Sequence, residues 1–304
     1  MGNLDLVITP STRRRRRSSM AAVAENGKHA APNGNGKNGH ADPNADAVPP
    51  VDSLALARRT GVHAARFALG GILTALFLRR AKFLNLHRGT TPYEAASRVV
   101  SVVHATVASI RSLQLAHARG GLKSPFTLFD PWLSGAQGSA PNTAEESEVF
   151  AFSSGYWIAD LLYLLGYERD PLFVLHHVLT LTIWPQSMAS GRGAAVPTLA
   201  CALGEASTPF LGLWWLAKRA GNTTLEAPLS NAFTASFLPL RVGLLPMYAL
   251  AFLRAAFSGK LDAVLGAARA RLWAVLIAAA GAGSLVWAKA LVAGFLKAQK
   301  SIKA

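Results

Sequence analysis

With 304 residues, 51% of them hydrophobic and only 15% charged, the chain falls short of the roughly 25% charged residues of a soluble domain. Its formal net charge of +15 suggests a nucleic-acid partner, but the basic residues flank apolar runs or crowd the first part of the chain and form no basic aromatic stripe, which excludes that reading. A lone cysteine, Cys201, excludes an intramolecular disulfide and a multi-cysteine metal site.

Residues 1–52 form a separate zone. Five arginines, Arg13 to Arg17, precede a stretch rich in Ala, Asn, Gly and Pro with almost no large apolar residue. Such a segment buries too little apolar surface to offset its ordering entropy, so a disordered basic tail is expected. It lacks the apolar stretch of a secretory leader. Met1-Gly2 opens like a myristoylation site, yet Leu6 stands where Ser or Thr is needed. The arginine run suits anionic lipid headgroups or a sorting signal, and a solvated tail without a receptor is the plainer alternative.

Beyond this tail the chain turns apolar. Runs at about 62–79, 97–117, 149–167, 171–188, 193–217, 229–256 and 271–296 each approach the roughly 20 residues that span a bilayer. The fold expected is all-α: a polytopic transmembrane helical bundle of about seven spans. Residues 53–96 supply a first span, with Arg66 inside it, and a connector; residues 97–297 form the main membrane domain; residues 298–304 are a short basic C-terminal tail. Only Tyr167 to Pro171 separates the third run from the fourth, so these two should pack as an antiparallel hairpin. The longest internal loop, about 118–148, holds Pro125, Pro131 and Pro141 and an acidic cluster of Glu145, Glu146 and Glu148. Basic residues flank the array on both sides in near balance, so the positive-inside rule leaves orientation open.

Residues three, four or seven apart share a helix face, and five successive runs carry one polar line each. These are Ser97, Ser101, His104 and Arg111; then Tyr156, Asp160, Tyr163 and Tyr167; then His176, His177 and Thr180, with Trp184 a turn further; then Thr198, Cys201, Glu205 and Thr208; then Asn231, Thr234 and Arg241. Lipid cannot hydrogen-bond these groups, so the lines should face a polar central cavity. Asp160, Glu205 and Arg241 should pair with one another or with histidine, Arg241–Glu205 or Arg241–Asp160 being the pairs expected. Locking of helix packing is the bland alternative. Pro185, Pro197, Pro209, Pro239 and Pro246 should kink their helices or mark their ends.

At these residues the chain resembles the TLC domain. The resemblance rests on SVVHATVAS (101–109), GYWIADLLYLL (155–165), VLHHVLTL (174–181), LGEASTPFLGLWWL (203–216), the spacing of Phe237, Arg241 and Pro246, and SLVWAKALVAGFLK (284–297). The Glu-x-Ser-Thr-Pro-Phe piece is most similar to the subgroup called TLC domain-containing proteins. The resemblance implies a TLC-like transmembrane domain over 97–297, usually in the endoplasmic reticulum. It also implies a place among ceramide synthases, which join a fatty acyl-CoA to a sphingoid base, lipid-composition regulators and cargo receptors. His176 and His177 match the paired histidine that opens the synthase motif. The later His-Asp cluster of that motif is missing, and Glu205, Ser207 and Thr208 stand in its region.

Two main functions remain open. One is a non-enzymatic membrane protein that binds lipid or acyl chains through His104, Glu205, Ser207, Thr208 and Arg241 and takes part in membrane lipid homeostasis. The other is an acyl-CoA-dependent N-acyltransferase of the ceramide synthase kind. There His177 or His176 would be the base, Asp160 or Glu205 would hold its tautomer, and acyl-CoA would be the co-substrate. A transporter or channel is a further alternative, without an inverted repeat or filter-like loop to support it. No tightly bound cofactor and no resident metal are expected. The partners expected are membrane lipids and no nucleic acid, and nothing in the pattern sets an oligomeric state. The endoplasmic reticulum is the expected membrane, with the plastid envelope as the alternative.

Overall fold

The computed structural model describes residues 52–81, 90–119 and 140–303, as helices and connecting turns with one isolated bridge between Pro141 and Arg192. The basic tail expected before Asp52 and the centre of the 118–148 loop lie outside the described residues. In chain order the helices are α1 (Ser53–Ala81), α2 (Pro92–Ala118), α3 (Ala144–Tyr163), α4 (Pro171–Ala189), α5 (Ala195–Glu205), α6 (Thr208–Arg219), α7 (Thr223–Phe237), α8 (Leu245–Phe257), α9 (Asp262–Leu265) and α10 (Ala267–Lys303). Two π-helical segments extend them. Leu164–Glu168 continues α3, and Leu238–Leu244 joins α7 to α8 in one rod.

Five of these rods are long and apolar enough to cross a membrane: α1, α2, α3 with its π segment, α7 through α8, and α10. The chain is thus an all-α polytopic membrane protein. The other two apolar runs become α4, whose His176, His177 and Gln186 lower its hydropathy, and the pair α5–α6. A single fifth span over 193–217 is corrected by this break at Ala206-Ser207. Pro209 in the first turn of α6 has no N–H to continue the ladder from α5. Large apolar side chains on α1, among them Leu69, Ile72, Leu73 and Phe77, are exposed, as a lipid-facing helix requires.

Local chemistry sets the helix starts. Asp52 Oδ1 accepts from Ala55 N at 2.9 Å, so α1 begins well before the apolar run at 62. Thr91 caps α2 ahead of Pro92, and Asp170 caps α4 ahead of Pro171. Thr143 and Glu146 form a reciprocal capping box, which draws Glu145, Glu146 and Glu148 into the first turns of α3 rather than leaving them in a loop. At the other end, α10 runs on through the expected C-terminal tail to Lys303.

Side-chain contacts fix the direction of each rod. Glu148 at the start of α3 meets His63 of α1 at 2.9 Å, so α1 and α3 run parallel. Glu168 at the end of α3 meets Arg98 near the start of α2 at 2.8 Å, so α2 opposes them. The α3–α4 pair forms the expected antiparallel hairpin, closed by Arg169 in the left-handed region at φ 51°. The bundle therefore has a loop end, where α3 starts, and a hairpin end, where α3 turns into α4.

The loop end is tied by a polar clamp. Arg119 Nε and Nη2 each donate to the fully buried Glu146 carboxylate at 2.6 Å, and Nη2 also reaches Pro141 O at 3.0 Å. Asn142 donates to Ser187 O and accepts from Ala194 N, both at 2.9 Å, which joins α3's cap to the α4–α5 turn. Trp273 of α10 donates to Gln186 of α4 at 3.1 Å, and Tyr248 OH donates to Val196 O at 2.8 Å. Elsewhere, close packing depends on missing side chains. A Cβ at Gly212 would collide with Val102, and one at Gly155 would collide with the α1 backbone at His63–Ala64.

Candidate functional site

The polar lines converge in the half of the bundle nearer the hairpin end. His177 lies roughly six residues into α4, or about 9 Å at 1.5 Å per residue. Asp160 faces it from the last turn of α3. His177 Nε2 lies 3.0 Å from Asp160 Oδ2, although off the axis of a linear hydrogen bond. Its Nδ1 is 2.8 Å from Phe173 O. A carbonyl can only accept, so Nδ1 carries a hydrogen. Nε2 faces a carboxylate at ion-pair distance. Ser97 of α2 donates to the other carboxylate oxygen at 3.3 Å. Three helices thereby meet at one carboxylate, with His177 Nδ1 hydrogen-bonded and Nε2 in ion-pair range.

His104 is fully buried one layer deeper, and neither ring nitrogen has a partner. Its ring stacks on Tyr156 with centroids 3.9 Å apart and planes 10° apart, and Phe67, Phe152 and Trp157 complete an aromatic cage. Tyr156 in turn lies 6.4 Å from the His177 ring, so the two histidines are bridged by a phenol.

On the far side, Arg241 is carried inward by the Leu238–Leu244 π segment. The break after α5 frees the Gly204 carbonyl, which would otherwise accept from the next helical turn, and Arg241 Nη2 donates to it. A cation at the C-terminal end of α5 also complements that helix's dipole. The expected Arg241–Asp160 and Arg241–Glu205 pairs are therefore corrected. Asp160 belongs to His177. Glu205, buried beside Thr208, is close enough to feel the charge of Arg241, but no ion pair closes between them among the described residues. Arg241 Nε is buried without a partner. The ring of His176, the other half of the histidine pair, makes no hydrogen bond among the described residues, although its carbonyl accepts from Thr180 Oγ1 at 3.0 Å. It packs edge-on against Trp287 of α10, with centroids 5.9 Å apart.

Asp160, His176, His177, Glu205 and Arg241 thus gather in one cluster, with His104 a layer deeper, Ser207 buried at the α5–α6 break and Thr208 beside Glu205. Three expected members fall away. Arg111 is exposed and bonds Gln114 at 3.5 Å, because it lies near the loop end where a long cation reaches out of the bundle. Tyr167 is 69% exposed, because the π segment rotates it off the Asp160 face. Asn231 is also exposed, and Ser230 takes its inward place on α7. Ser97 and Trp287 join the cluster, although the sequence pattern does not mark them as site residues. Ser97 lies in a polar line and Trp287 in one of the TLC-like stretches, but neither carries a signal for cross-helix contact. The side chains of the cluster pack against one another. A surface cleft lies elsewhere, between α2 and α3, lined by Val107, Arg111, Glu148 and Phe152.

Both π segments adjoin this cluster, one just after Asp160 and Tyr163 and one around Arg241. Interrupted ladders of this kind concentrate at functional sites. Residues 94–292 match the family model described as the TLC domain. The match covers about two-thirds of the chain and includes every residue of the cluster.

Proposed function

The chain belongs to the TLC-domain family, and from that premise we propose that it binds a lipid at the buried polar cluster and takes part in membrane lipid homeostasis without turning it over. One observation carries the choice over an acyltransferase. A general base needs a nitrogen free to face the proton it takes, and both nitrogens of His177 already face oxygen, Phe173 O on one side and Asp160 on the other. His177 is placed as a fixed strut. Free polar capacity lies in the His176 ring, in both His104 nitrogens and in the Arg241 Nε, which suit the hydroxyl, amide or phosphate of a bound amphiphile. The absence of the synthases' later His-Asp cluster supports the same reading.

The acyltransferase remains the second reading because the His176 ring is unbonded and stands next to His177, with ring centroids 5.6 Å apart. In that case His176, not His177, would be the base and acyl-CoA the co-substrate. Residence in the endoplasmic reticulum is part of the proposal and rests on the family likeness; the plastid envelope is its alternative.

Lipid mass spectrometry on the detergent-purified protein, beside the His176→Ala/His177→Ala double variant, tests both readings after incubation with acyl-CoA and a sphingoid base. Co-purifying lipid that the double variant loses, with no new product, is expected. An N-acylated product formed by the wild type alone would overturn the proposal in favour of the enzyme, and neither lipid nor product would overturn both readings.

A further inference from the structure

The hairpin end carries a second polar constellation, outside the buried cluster. Trp215 on α6 has two guanidinium groups near its ring: Arg98 Cζ lies 5.6 Å and Arg219 Cζ 5.3 Å from its centroid. Lys218 Nζ lies 5.4 Å from the neighbouring Trp214 ring. Arg98 gives Nη2 to Glu168 at 2.8 Å, but its Nε is buried without an acceptor. Glu168 offsets the charge of Arg98, and Lys218 and Arg219 lie in the last turn of α6.

Aromatic residues place this constellation at a membrane surface. Tyr93, 45% exposed, stacks on Tyr167 at 5.8 Å, and Tyr167 stacks on Tyr163 at 5.5 Å, all at the hairpin end. With the half-buried Trp215 they form an amphipathic belt of the kind that sits at headgroup level. Cations at that level meet phosphates before they meet anything else, and guanidinium groups hold phosphate oxygens in a fork.

We infer that the face built by Arg98, Trp215, Lys218 and Arg219 is a docking site for the anionic headgroup of a phospholipid in the surrounding bilayer. The Arg219 guanidinium, in the last turn of α6 beside Trp215, supplies donors to the phosphate, and Arg98 adds positive charge behind it. Both guanidinium groups lie within about 6 Å of the Trp215 ring centroid, which gathers their charge on one patch. The site does not depend on the reading of the buried cluster, because none of these four residues belongs to that cluster.

Native mass spectrometry of the full chain, titrated with phosphatidylglycerol or phosphatidylcholine of identical acyl chains, tests it. The wild type should retain phosphatidylglycerol in preference to phosphatidylcholine. Arg219→Gln should weaken phosphatidylglycerol about fivefold, the effect of roughly one surface cation, and Trp215→Leu should weaken it as well, while phosphatidylcholine is unchanged. Arg59→Gln, a cation at the loop end, should leave the preference intact, as should the His176→Ala/His177→Ala variant. Equal retention of the two lipids by the wild type, or an unchanged preference in both Arg219→Gln and Trp215→Leu, would overturn the inference. Displacement of phosphatidylglycerol by millimolar inorganic phosphate would overturn the lipid assignment in favour of a soluble phosphate. Circular dichroism of each variant separates loss of binding from loss of fold.

Discussion

Burying a polar group without a partner costs about 1–3 kcal/mol, and His104 buries two ring nitrogens in that state. Its cage of Phe67, Phe152, Tyr156 and Trp157 would accept a benzene ring equally well. His104→Phe should therefore leave thermal stability in detergent unchanged or raise it by about 1 kcal/mol. A loss above about 2 kcal/mol would mean that the imidazole is hydrogen-bonded in the native protein. If His104→Phe is stable yet loses co-purified lipid, the imidazole serves the ligand rather than the fold. Asp160 behaves in the opposite way. Asp160→Ala strands the buried His177 beside an empty space and removes the acceptor of Ser97, so a loss of about 3–5 kcal/mol is expected, the usual result of breaking a buried pair from one side. Asp160→Asn keeps an oxygen for Ser97 and should lose less. Equal melting of Asp160→Ala and wild type would remove the carboxylate from its structural role.

Helices in lipid are held by close approach, because lipid tails supply no hydrophobic push between them. The α2–α6 crossing depends on Gly212, where even a methyl group would meet Val102. Gly212→Ala should cost about 1–3 kcal/mol through overpacking. Gly61→Ala on the exposed flank of α1 has open space around its new Cβ, so it should gain about 0.5–1 kcal/mol from helix propensity. The two melting shifts should have opposite signs; a shared sign would mean that α6 does not seat on α2 as described. The interrupted elements follow the same logic. The break before Thr208 exposes a carbonyl that Arg241 then occupies, so a defect in one helix creates the binding partner for a residue of another.

At the scale of the whole bundle, periodicity alone places most of the candidate site. A helical face shows as spacing, so His104, Asp160, His177 and Glu205 align on inward faces from their positions in the chain. Pairing between helices does not show in this way, because spacing along one helix says nothing about rotation against its neighbour; charge alone matches Arg241 to a carboxylate, whereas it holds the Gly204 carbonyl. The π segments show only as helix-weakening residues, Gly166 in the first and Pro239 and Gly243 in the second, which mark a disturbance but not its form, and an unbroken α period puts Tyr167 on the wrong face as a result. Apolar runs mark the rods but not their starts, which Asp52 and the Thr143 capping box settle with polar side chains outside the runs. The second π segment also bears on how this chain tolerates changes in length. A π turn holds one residue more than an α turn over the same stretch. Deleting one residue between Leu238 and Leu244 would let α7 and α8 rejoin with both flanks still facing the core, whereas a deletion elsewhere in the rod would turn everything beyond it by about 100°. The shortened rod would keep its packing and swing Arg241 away from Gly204, so a single lost codon is the shortest genetic route from a bundle that grips its broken helix to one that leaves it free.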